Sequence, residues 1–136
     1  MKRKSNLIIT LGILLAVGLA CEFTTANLSE ITFSEDETGR KNFISAKQSE
    51  KVFALSSINN TKGKHIIRWK VTDSKGEEIK LPENEAKIEG ARKIWLSLTL
   101  KPNMFPEGKY TFQVTLLNEK GNKEIETKTG TLEVRN

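Results

Sequence analysis

The sequence holds one cysteine, Cys21, and one histidine, His65. With no second thiol, no intrachain disulfide can form, and packing alone must hold the fold. With one imidazole, a transition-metal site lacks its usual set of His and Cys donors. A Ser/His/Asp triad would have His65 alone as its base. That residue opens a strand behind Lys62-Gly63-Lys64, an edge or solvated position, and no nucleophile-elbow motif surrounds any serine. Long apolar runs are missing too. The longest, Leu7 to Leu19, spans 13 residues interrupted by Thr10 and Gly12, short of the roughly 20 that a transmembrane helix needs. No segment beyond residue 27 carries a helical period.

Charge of one sign is also in short supply. The formal balance is +5, but Lys2, Arg3 and Lys4 sit in the first four residues, and without them it falls to +2. The other lysines alternate with glutamates, as in Asn118-Glu-Lys-Gly-Asn-Lys-Glu124. This is the pattern of a solvated face, and no nucleic-acid partner is expected. Glu35-Asp36-Glu37 lacks the alternating ligands and central glycine of a calcium loop and reads as a solvated acidic loop. Nothing in the carboxylate spacing requires a glycosidase pair. The expectation is a non-enzyme with no metal and no cofactor.

What is present begins at the N-terminus. A basic head, Lys2-Arg3-Lys4, precedes the apolar run, and small residues precede Cys21. That is the layout of a secretory signal. Gly18-Leu19-Ala20-Cys21 resembles the bacterial lipobox, with Ala20 and Cys21 carrying the match. The resemblance implies a signal peptide over 1–20. It also implies diacylglycerol on the Cys21 sulfur and a fatty acyl chain on its amine, hence an exported, membrane-anchored protein of the cell envelope. Two or three chains exceed the single chain that gives only marginal membrane binding. Two other readings stay open: a general signal peptidase cut that leaves a free thiol at Cys21, and an uncleaved anchor. On the lipobox reading, residues 21–27 are the lipidated cysteine and a short tether. The six residues Glu22 to Asn27 reach about 20 Å when extended.

From Leu28 onward apolar residues recur at the strand period of two. Strands are expected over 52–59, 65–72, 77–81, 94–100 and 110–116, with a first one around Leu28, Ile31 and Phe33 and a short one at 86–88. Asp73-Ser-Lys-Gly76 and Asn118-Glu-Lys-Gly-Asn122 read as turns. Beyond the second turn, Ile125, Thr127 and Thr129 are odd-numbered whereas Leu132 and Val134 are even, so a β-bulge is expected at Gly130. Seven to nine short strands in residues 28–136 predict an all-β fold, an antiparallel sandwich behind the signal segment.

Pro106-Glu-Gly-Lys-Tyr-Thr-Phe112 resembles the start of strand F in immunoglobulin-like domains. The resemblance makes Tyr110 the corner tyrosine and puts Phe112 in the place of the second cysteine. It makes Trp69 the buried tryptophan of strand C, with Ala54 or Ser56 near the place of the first cysteine. In general appearance the chain resembles small bacterial lipoproteins that carry such a domain.

Two apolar features stand apart. Ile94, Leu96, Leu98 and Leu100 share one face of their strand, which turns Trp95 to the other. Met104 and Phe105 lie in a proline-bounded loop. These three are the candidate contacts for a protein partner. The expected role is a non-enzymatic binding or structural module, anchored to the membrane through Cys21. The alternative is a secreted protease-inhibitor-like or assembly-accessory domain that docks through the 102–107 loop or a free strand edge.

Overall fold

The computed structural model describes residues 26–136; the signal segment, Cys21 and most of the tether lie outside them. The described chain forms ten strands and no helix: β1 (Asn27–Leu28), β2 (Thr32–Ser34), β3 (Ser45–Lys47), β4 (Lys51–Asn59), β5 (Lys64–Thr72), β6 (Glu78–Ile79), β7 (Glu85–Glu89), β8 (Arg92–Thr99), β9 (Gly108–Leu117) and β10 (Glu124–Arg135). β1 and β2 both pair with β4 and are two parts of one edge, interrupted at 29–31. β4 pairs on its other side with β8. The second sheet runs β3-β10-β9-β5, with β6 and β7 in sequence along the outer edge of β5. This is an immunoglobulin-like β-sandwich.

Period-two alternation decides which residues meet between the sheets. Val52, Ala54, Ser56 and Ile58 of β4 are buried, as are Ile94 and Leu96 of β8. From the facing sheet come Ile67, Trp69 and Val71, then Tyr110, Phe112, Val114 and Leu116, then Leu132 and Val134. Phe112 is buried between the sheets and packs edge-on against Phe33, 5.0 Å between ring centroids. Phe33 is the register partner of Ala54, whose methyl leaves room for the two rings. Ser56 is buried but satisfied, its hydroxyl donating to the Ser29 carbonyl at 2.7 Å. The Tyr110 hydroxyl donates to the Pro106 carbonyl at 2.5 Å, the corner bond that the sequence resemblance implies.

Two features differ from expectation. β3 is a strand the alternation does not announce, and it runs parallel to β10 in an otherwise antiparallel structure. The chain leaves the first sheet after Ser34 and crosses to the second, where the Glu133 N–H donates to the Ile44 carbonyl at 3.0 Å. The edge of β10 is thereby covered. The second difference concerns the bulge. Register runs unbroken through Gly130, opposite Phe112, and the irregularity falls between Glu124 and Glu126. Gly130 answers a different need: a Cβ there would lie 3.0 Å from the Ile31 Cβ. The glycine lets the β1–β2 connection close against β10.

Polar contacts finish the same rim. The Leu28 N–H donates to Glu126 Oε1 at 3.2 Å, and Lys128 Nζ reaches Glu30 at 3.1 Å. Hydrogen bonding and charge from Glu30 raise the Lys128 pKa above its ordinary value.

Candidate functional site

The opposite rim is open. Among the described residues β8 pairs with β4 alone, and β6 and β7 pair with β5 alone. Where these two edges face each other runs a cleft of about 660 Å³. Trp95, Leu96, Ser97 and Leu98 of β8 line one side; Leu81, Pro82, Asn84 and Ala86 line the other. A smaller cleft of about 220 Å³ continues the seam toward the other end and shares Trp69, Ala86 and Trp95 with it.

Each wall follows from local sequence. On β8 the alternation that buries Ile94 and Leu96 leaves Trp95 outward and 46 % exposed. Pro82 ends the short return strand that begins at β6. The Trp69 N–H then donates to the Asn84 carbonyl at 2.7 Å and holds the 81–85 segment along β5. At the distal end a turn places Met104 and Phe105. The N–H groups of both donate to the Lys101 carbonyl, and Gln48 Nε2 donates to the Phe105 carbonyl at 3.0 Å.

The structure therefore brings Trp95, Met104 and Phe105 to one cleft but gives them different roles. Met104 is half-buried on the wall. Phe105 is only 2 % exposed, its ring 5.1 Å from that of Tyr110. It supports the floor and is not free surface, because its turn folds it back over the end of the sandwich. Leu81, Pro82 and Ala86 complete the cleft. Leu81 ends the expected 77–81 strand and Ala86 begins the expected 86–88 strand, and the Trp69–Asn84 bond together with the pairing of β7 and β5 brings them opposite Trp95.

The ionisable groups of the cleft are Lys51, Lys80, Lys101, Glu83 and Glu85. Glu85 accepts from Arg68 Nε at 3.0 Å, an exposed pair of small energetic weight. No histidine lines the cleft, so its Ser97 and Thr99 hydroxyls have no imidazole beside them. The arrangement suits contact with apolar side chains and with a backbone, more than proton transfer.

The remaining candidates lie elsewhere. His65 is half-buried at the end of the sandwich near Lys64, Lys87, Glu89, Glu119 and Lys120, and its Nδ1 has no hydrogen-bond partner. The acidic loop is a self-bonded turn. The Thr38 hydroxyl and N–H both donate to Asp36 Oδ1, and these bonds hold its carboxyl below the usual range. Among the described residues no group of three His, Cys, Asp or Glu side chains could hold a metal ion. Ile44, absent from the sequence-based candidates, is 82 % exposed at the crossover between the sheets.

No family model matches the chain, and no curated protein matches it either. Its fold is shared with solved structures. The C-terminal domain of wzt is similar with a TM-score of 0.60 and 11% identity, over 82% of this chain and 74% of that one. The CARDB domain of the PF1109 protein of Pyrococcus furiosus, solved in complex with di-metal ions, is similar with a TM-score of 0.52 and 11% identity, over 82% and 96%. The periplasmic chaperone SfaE matches with a TM-score of 0.54 and 11% identity, over 81% of this chain and 57% of that one. At such identities the likeness is one of fold, and the fold is an immunoglobulin-like β-sandwich.

Proposed function

We propose that this chain is a non-enzymatic binding module of a bacterial cell envelope, held on the exported side of a membrane by lipid on Cys21. It docks an extended segment of a protein partner along β8. The observation that carries the reading is Trp95, exposed beside an apolar cleft on a strand whose outer edge has no neighbour among the described residues. A strand added at such an edge gains main-chain hydrogen bonds, and alternate side chains enter the adjoining pockets. Trp95 and Met104 supply the apolar anchors that concentrate binding energy. The lipid anchor would place this edge where other envelope proteins pass.

Cross-linking in intact envelopes of the native host tests the reading. The wild-type chain should give a discrete protein adduct, and Trp95→Asp should lose it while keeping its thermal unfolding transition. An adduct that survives Trp95→Asp, or no adduct in the wild type, overturns it.

A further inference from the structure

The two ends of the sandwich differ in charge. Asn27 pairs with Asn59, so the N-terminal tether enters at the end formed by the connections 60–63, 90–91 and 118–123. Those connections hold Lys62, Lys120 and Lys123 against a single carboxylate, Glu119. The far end is formed by connections 35–44, 48–50, 73–77 and 100–107. There seven carboxylates, among them Glu35, Asp36, Glu37 and Asp73, outnumber four cations.

Strand ends enlarge the basic face. Lys64, Arg92 and Lys93 border the same connections against Glu89 and Glu124, and the cleft of about 630 Å³ there gathers Lys64, Lys87 and Lys120, with Glu89 and Glu119, around His65. Among the described residues Lys62, Lys64, Arg92, Lys93 and Lys120 make no ion pair, whereas Lys128 and Arg68 do. Folding thus collects at one end six cations, Lys62, Lys64, Arg92, Lys93, Lys120 and Lys123, against three carboxylates, Glu89, Glu119 and Glu124.

We propose that this end is a docking face for anionic lipid headgroups. The inference rests on the membrane-anchor reading for its setting. A six-residue tether keeps the basic end within about 20 Å of the bilayer. Each lysine or arginine near an anionic surface is worth about fivefold in binding. The face stands the sandwich upright, basic end down, and turns the Met104 end of the Trp95 cleft away from the lipid.

The test uses the unlipidated chain from Glu22 to Asn136. It holds every strand and every buried apolar residue described, Leu28 to Val134, and so carries the whole core. The readout is co-sedimentation with vesicles of phosphatidylcholine, with and without phosphatidylglycerol. The chain should bind only the anionic vesicles and release at high salt. Lys62→Glu/Lys64→Glu/Lys120→Glu should weaken binding at least about a hundredfold. Arg40→Glu/Lys41→Glu/Lys101→Glu, the same charge change at the far end, should leave it within about threefold. Equal binding to both vesicle types, or equal losses in both variants, overturns the proposal. Because this chain carries no lipid, the result stands apart from whether Cys21 is acylated in the host.

Discussion

Phe33 and Phe112 meet edge to face across the sandwich, centroids 5.0 Å apart and planes at 75°. Each comes from a different sheet, so this contact ties the two layers together. A T-shaped pair of this kind adds roughly 0.5–1.5 kcal/mol to the burial of the rings. Phe112→Ala should therefore destabilise the domain by about 3–5 kcal/mol, and Phe112→Leu, which keeps most of the volume, by clearly less. Urea unfolding of both variants checks the order.

Tyr110 is buried and bonded to the Pro106 carbonyl. Burial, aided by the nearby Asp73 carboxylate, raises its pKa above 10.0. The folded state then keeps the phenol proton at pH values where the unfolded chain has lost it. This contribution is complete below about pH 10 and declines as pH rises through the folded pKa. Tyr110→Phe should cost about 1–2 kcal/mol at neutral pH and should flatten the loss of stability above pH 10. A steep alkaline decline that persists in the variant would assign it to other groups.

Gly130 leaves the Ile31 side chain in place, with a Cβ position 3.0 Å from the Ile31 Cβ and 3.4 Å from Phe33 Cε2. The Ile31 Cβ is fixed by its backbone, and no side-chain rotation moves it aside. Gly130→Ala should cost about 1–3 kcal/mol, and Ile31→Gly, which removes the facing Cβ, should cost less in that chain than it does alone. Additive effects in that double-mutant cycle would contradict the close approach.

The two tryptophans predict opposite outcomes. Trp69 is buried between the sheets and Trp95 is 46 % exposed on the rim. Trp69→Ala should cost about 3–5 kcal/mol, whereas Trp95→Ala should cost about 1 kcal/mol or less. A Trp95 variant that unfolds as readily as the Trp69 variant would make Trp95 a core residue and remove the basis of the partner cleft.

The longer strands were legible because one residue in two had to be apolar. In β4, β5, β8 and β9 the inward residues follow that rule with few exceptions. Tyr110, Phe112 and Trp69 then narrowed the architecture through their spacing. Other parts depended on partners far along the chain. Ser45-Ala46-Lys47 carries one apolar residue, and its strand exists because β10 offers an edge 88 positions later. Ile125 is apolar but lies at the register shift, 37 % exposed. Gly130 looked like the place of that shift but answers a close approach. At the ends of the sandwich, apolar character did not settle burial: Phe105 is buried and Ile44 is exposed. The Trp95 cleft was half legible, since β8 announced its own wall and only tertiary pairing supplied the other.

Intact mass of the membrane-extracted protein from its native host, measured beside a Cys21→Ala variant, tests the anchored-module account most directly. The account predicts a chain that begins at Cys21 and carries the added mass of a diacylglycerol and an acyl chain, with the variant displaced to the soluble fraction. An unlipidated mass beginning at Cys21, with wild type and variant in the same soluble fraction, would contradict it.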